Sequence, residues 1–202
     1  MFGFLFRKPV QRMKPDKIIV GLGNPGSRYK GTRHNVGFMT LAVLAKRFGS
    51  GRPINQFRSE TLEAKIDTVH LLLVSPLTYM NESGSAAAAV LKFYKKTPDD
   101  LLVICDDVDL APGKIRVREE GGSGGQKGLA DIIQKLGTKD FARLRVGIGR
   151  PPGSMDTADY VLSNFGAGER SVMTEAIERA ADAAECWIER GTTEAMNRFN
   201  GA

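Results

Sequence analysis

The stretch GLGNPGSRYKGTRHNVGF, Gly21–Phe38, decides the fold of this chain. It follows a short apolar run, Lys17-Ile18-Ile19-Val20, that reads as a buried strand. It leads into helical periodicity at Val36, Met39, Val43, Leu44 and Phe48. A strand ending in such a loop places its polar groups at the carboxyl edge of a sheet, where α/β folds build their sites. Only two histidines occur in the 202 residues, and one of them, His34, lies in this loop. An imidazole titrates near neutral pH, so His34 is the natural candidate for a general base. At the mouth of a helix the positive end of the dipole favours its neutral form.

The rest of the chain extends the same pattern. Gly49 to Arg58, rich in Gly, Pro, Asn and Gln, reads as a connection, and Thr61–Ile66 and Val69–Val74 as two strands. His70 falls in the second of these and reads as a partly buried or edge histidine. Pro76 to Ser83 is a polar loop before an alanine-rich helix, Gly84 to Lys95. Leu101–Cys105 is a continuous apolar strand, hence central, and runs into the acidic cluster Asp106-Asp107-Val108-Asp109. Lys114-Ile115-Arg116-Val117-Arg118 alternates with period two, which puts three cations on one face of a strand. A glycine-rich loop, Gly121 to Gly128, precedes a helix from Leu129 to Leu136. Arg143–Gly149 is a further strand, and Asp159–Leu162 an extended or loop segment. A long helix, Ala167 to Arg190, and a short one, Thr193 to Phe199, close the chain. Strands alternating with helices over this length predict one α/β domain, residues 17–202. Met1 to Pro15 reads as a basic, poorly ordered extension, so that the domain is preceded by residues 1–16.

Composition narrows the function classes. Lys and Arg number 29 against 23 Asp and Glu, a formal charge of +6, which suits an acidic partner such as nucleic acid. No apolar run is long enough to span a bilayer. Cys105 and Cys186 lack any metal-ligand spacing, so no metal or other cofactor is expected, and free thiols suit a reducing cytoplasm. Gly21-Leu22-Gly23-Asn24-Pro25-Gly26 satisfies GxGxxG, but no helical period starts at once and no acid follows near Lys46, against a dinucleotide site. Gly121-Gly122-Ser123-Gly124-Gly125 satisfies GxSxG, but a hydrolase elbow needs a later histidine and none follows His70. The same loop lacks the GK[ST] ending of a P-loop.

Four motifs in order carry a resemblance. GLGNPGSRYKGTRHNVGF, SPLTYMNESG (Ser75–Gly84), ICDDVDLAPGKIRVR (Ile104–Arg118) and FARLRVGIGRP (Phe141–Pro151) make the chain similar to bacterial peptidyl-tRNA hydrolases from about Lys17 to Phe199. The resemblance implies a twisted mixed β-sheet flanked by helices, a monomer, and cleavage of the ester between peptide and tRNA. It implies His34 as the catalytic base, Asp106 as the acid orienting it, and Asn24 and Asn81 as amides on the peptide and the reacting carbonyl. Tyr29 and Met80 match residues of the site wall, and Arg118 and Arg145 a clamp on the tRNA 5′ phosphate. Lys114 and Arg116, on the same strand face as Arg118, read better as solvated cations.

Two positions depart from the family pattern. Gln126-Lys127 stands where His-Asn is usual, and Ala42 where an Asp is usual. Lys127 can donate hydrogen bonds and meet phosphate but cannot accept a bond from water. The altered loop and the basic extension also suit an RNA-binding, non-enzymatic relative of the hydrolases, of the chloroplast intron-splicing kind; intact His34 and Asp106 favour the enzyme.

Overall fold

A computed structural model describes residues 13–201. The extension read over Met1–Pro15 lies for the most part outside the described residues. Where description begins, Pro15 is buried and Asp16 is tied to His70 by two hydrogen bonds, so packing starts just before Lys17.

Seven strands form one mixed sheet. They are β1 (Lys17–Gly21), β2 (Gly49–Gln56), β3 (Ser59–Ile66), β4 (Val69–Pro76), β5 (Leu101–Asp107), β6 (Ile115–Arg118) and β7 (Ala142–Gly147), in the order β2-β3-β4-β1-β5-β7-β6. The centre, β4-β1-β5-β7, is parallel, and both flanks are antiparallel. Alternation along each central strand feeds two cores. Ile19, Leu102 and Ile104 face α1 (Val36–Phe48) and α5 (Arg170–Phe199). Ile18, Val20, Leu101, Val103 and Cys105 face α2 (Ser83–Tyr94) and α3 (Lys127–Leu136). Burial on both faces is why β1 and β5 are continuous apolar runs.

Three segments differ from the sequence reading. Gly49–Gln56 is a strand rather than a connection: it is an edge strand, exposed almost throughout, where glycine and proline cost the ladder little. Asp159–Leu162 belongs largely to a short helix, α4 (Thr157–Val161), started by Asp156, whose carboxylate accepts from the backbone N–H groups of Ala158 and Asp159. The two C-terminal helices are one span interrupted at Gly191, whose φ of 83° leaves the helical region.

Gly21 and Gly23 of the GxGxxG run serve packing, whereas Gly26 supplies a φ of 105°. A Cβ on Gly21 would lie 2.5 Å from the carbonyl oxygen of Gly37, so α1 can approach β1 only because that position carries no side chain.

Candidate active site

The carboxyl edge of β1, β4 and β5 is also where α1, α2 and α3 begin. The turn Arg33–Asn35 precedes α1, the turn Met80–Glu82 precedes α2, and Gln126 caps α3. A cleft of about 820 Å³ opens between these ends and α4. Asn24, His34, Met80, Asn81, Asp106, Gln126 and Lys127 all line it.

Asp106 continues the face of β5 that carries Leu102 and Ile104, and so points toward the start of α1. There it meets His34. The ring Nδ1 lies 2.9 Å from both carboxylate oxygens, and both residues are buried, at 8% and 3% exposure. A carboxylate only accepts, so Nδ1 carries the proton and Nε2 of the neutral ring is left as an acceptor. A turn residue and a strand residue 72 positions apart are thereby locked into one pair.

Asn24 is held as firmly. Its backbone N–H donates to Asn35 Oδ1 at 2.9 Å, and its carbonyl accepts from Asn35 Nδ2 at 3.0 Å. Its side-chain Oδ1 accepts from the backbone N–H of Met80, so the group it offers the cleft is the Nδ2 donor. Met80 forms buried wall, whereas Asn81 and Lys127 reach the cleft from exposed positions.

The structure separates the other residues implied by the resemblance. Tyr29 does not line the cleft; it is half-buried in its own turn, with the Arg28 guanidinium stacked over its ring at 4.5 Å. Arg118 and Arg145 lie outside the cleft on the β6–β7 face, where Arg116 pairs with Arg145 and Arg118 with Arg143 in the ladder. Arg116 and Arg118 are exposed. Arg145 is engaged: it donates to Asp107 Oδ2 at 3.0 Å and to the carbonyl of Gly122 at 2.7 Å. Arg143 is fully buried and fans onto the carbonyls of Phe141, Lys139 and Gly121. Burial, reinforced by the Arg145 charge, pushes its guanidinium down to about 10. These two arginines hold the start of the glycine loop whose far end, Gly124 to Lys127, lines the cleft.

Sequence reasoning missed two supports. Gln126 donates to Asp106 Oδ1 at 3.1 Å while accepting from Leu129 N–H at 2.7 Å. Its departure from the family pattern was the signal that marked the position. Arg33, 6% exposed, donates to Ser163 Oγ, the carbonyls of Ser163 and Asn164 and the Glu169 carboxylate, and stacks on Tyr160 and Phe165. It thereby fastens the segment after α4 to the turn that carries His34, and its single charge among polar neighbours in the sequence gave no hint of that. Among the described residues no group of His, Cys, Asp and Glu could hold a metal ion, and no helix is long and apolar enough to cross a membrane.

Comparison with known proteins places the chain. The family model described as peptidyl-tRNA hydrolase matches residues 18–202. Peptidyl-tRNA hydrolase of Rhodopirellula baltica is 48% identical over 186 residues, 92% of this chain and 98% of that one. The Brevibacillus brevis protein of the same name is 47% identical over 184 residues, 91% of this chain and 97% of its own. The crystal structure of peptidyl-tRNA hydrolase from Acinetobacter baumannii superposes with a TM-score of 0.86 at 36% identity, covering 94% of this chain and 97% of that one. The family match over residues 18–202, 48% identity over 92% of the chain and the shared fold agree, and the chain belongs to the peptidyl-tRNA hydrolase family.

Proposed function

We propose that this chain cleaves the ester joining a peptide to the 3′ end of tRNA, with His34 as general base. The observation that carries the reading is the buried His34–Asp106 pair, which leaves imidazole Nε2 as an acceptor in a cleft that also presents the Asn24 amide. Nε2 takes a proton from water as its oxygen attacks the ester carbonyl. Asp106 stabilises the imidazolium that forms. The amide N–H donors of Asn24 and Asn81 meet the developing oxyanion. The tetrahedral intermediate then collapses, the bond from the carbonyl carbon to the ribose 3′ oxygen breaks, and the imidazolium gives its proton to that leaving oxygen, which departs as the 3′ hydroxyl. Three helix N-termini at the cleft add a positive potential that favours both the oxyanion and nearby phosphates.

Lys127 supplies an exposed cation at the rim, suited to the phosphate backbone near the 3′ end. Arg118 and Arg145 are the proposed contacts of the tRNA 5′ phosphate, because guanidinium forks match phosphate oxygens. Arg118 is ready for that ligand, whereas Arg145 meets it with donors not already committed to Asp107 and Gly122. The protein acts in the cytoplasm as a monomer on this reading.

Peptide release from purified peptidyl-tRNA tests the proposal. The wild-type chain releases peptide, with kcat/KM falling at acid pH as the imidazole takes a proton. His34→Ala loses roughly 10²–10⁴-fold in kcat, the contribution of a placed general base, with tRNA affinity nearly unchanged. Near-normal turnover in that variant removes His34 as the base. A wild-type chain that binds tRNA but releases nothing supports the RNA-binding relative instead.

A further inference from the structure

We infer that Gln126 is a positioning residue of the His34–Asp106 pair, acting as a neutral donor that holds the carboxylate in the plane of the imidazole. The inference rests on the hydrolase reading and extends it. Gln126 is 7% exposed and stands at the N-cap of α3. The Leu129 N–H at 2.7 Å can only donate, so it fixes the amide with Oε1 toward the helix and Nε2 toward Asp106, 3.1 Å from Oδ1. The same NH₂ group lies 3.1 Å from the sulfur of Met80, which closes its other side. An amide trapped in this way has one orientation, and so has the carboxylate it bonds.

The choice of residue supports the same conclusion. Ser, Thr, Asp and Asn are the favoured N-caps, and their short side chains fold back on their own helix. Glutamine is a less favoured cap, but its longer chain spans from α3 to the end of β5. A neutral donor here also behaves the same across the pH range of catalysis, as an imidazole in its place would not. The two oxygens of Asp106 are thereby distinguished, with Oδ1 shared between Gln126 and His34 and Oδ2 left to His34.

The charged groups around the pair come from both sides of the cleft. Asp107 follows Asp106 on β5 and is neutralised by Arg145 of β7. Lys127 opens α3 and Asp156 precedes α4, both lining the cleft. Arg33, beside His34, turns its guanidinium to Glu169. Gln126 is the one of the cleft's amides that touches Asp106 among the described hydrogen bonds.

Two substitutions separate positioning from capping. Gln126→Asn still caps α3 but cannot reach Asp106. It is expected to melt within a few degrees of wild type while kcat falls about tenfold, the loss of one charge-assisted hydrogen bond, with KM nearly constant. Gln126→Glu keeps an acceptor for Leu129 and puts a second carboxylate against Asp106. It is expected to move the acid limb of kcat/KM up by about half a pH unit or more, since added negative charge favours the imidazolium. The chain has only two histidines, so proton NMR reads the His34 titration directly, with His70 as internal reference. If both variants keep wild-type kcat and an unmoved His34 titration, the inference is overturned while the hydrolase reading stands. If the wild type releases no peptide, the hydrolase reading fails, and a Gln126→Glu variant with unmoved His34 titration removes the positioning role as well.

Discussion

The cleft and the β6–β7 face are both built from polar side chains, yet they are built on opposite terms. In the cleft the buried polar groups fix one another: Asn24 is held by Asn35 and Met80, His34 by Asp106, Asp106 by Gln126. On the β6–β7 face four arginines share one side of two paired strands, and they divide by depth. Arg143 and Arg145 are pinned to carbonyls and to Asp107, whereas Arg116 and Arg118 stand in solvent. The first region commits its hydrogen bonds to geometry, as chemistry requires. The second keeps cations available, as attraction to phosphate requires. Substitutions in the two places should therefore fail in different measurements.

The largest effect is expected from Asp106→Asn. Gln126 presents only donors to this position, so the Asn carbonyl turns toward Gln126 and its NH₂ toward His34. The imidazole then carries its proton on Nε2 and cannot accept one from water. A loss of roughly 10²–10⁴ in kcat with little change in melting temperature is expected, the worth of a general base. A loss below tenfold would mean that the pair is structural and would erase the distinction between the two regions.

Arg143→Met probes the buried half of the arginine face. It leaves the carbonyls of Phe141, Lys139 and Gly121 without their common donor. Urea denaturation should show a destabilisation of about 3 kcal/mol, the cost of leaving buried carbonyls without a donor. Arg143→Lys should recover little, since an ammonium cannot fan across three separated carbonyls. Full stability in the Met variant would place Arg143 with the exposed cations.

Arg118→Ala and Arg145→Ala should weaken binding of tRNA bearing a 5′ phosphate several-fold each and reduce the salt slope of binding by about one unit. Short ester substrates without the tRNA body should be cleaved at nearly wild-type rates in the Arg118 variant. Arg145→Ala should also lower kcat modestly, because it frees Asp107 and the carbonyl of Gly122 at the root of the loop that ends in Gln126. Equal losses on both substrates in the Arg118 variant would refute its part in phosphate binding.

The smallest expected effect is alkaline. Cys105 is fully buried on β5, and burial pushes its thiol up to about 12. The unfolded thiol ionises at lower pH than the folded one, so the folded state keeps its full share of stability below the unfolded value near 9 and loses it as pH rises toward 12. Stability measured by denaturation from pH 8 to 11 should fall less steeply in Cys105→Ala. Parallel slopes would show that Cys105 is not the titrating group.

Much of this architecture was legible because burial on both faces of a parallel strand leaves an unmixed apolar run, as at Ile18–Val20 and Leu101–Cys105. The edge strand Gly49–Gln56 was not, since an exposed edge tolerates the residues that otherwise mark turns. Asp156 ahead of α4 was a readable capping signal that a helix of five residues made easy to pass over. Motif resemblance pointed to His34, Asp106, Asn24, Met80 and Asn81, departure from the motif pointed to Lys127, and the fold brings all six to one cleft. It also pointed to Tyr29, which the fold leaves in its own turn beneath Arg28.

The sequence by itself determined the apolar central strands, the helices that cover them, and the loop that carries His34, because each follows from local periodicity and turn chemistry. Tertiary structure alone decided which polar residues act together. Taken locally, Asp106 reads as one acid of a cluster, Gln126 as a loop residue and Arg145 as a strand residue. Their partners lie 72, 20 and 38 positions away, and hydrogen bonds over such separations exist only once the sheet has been assembled.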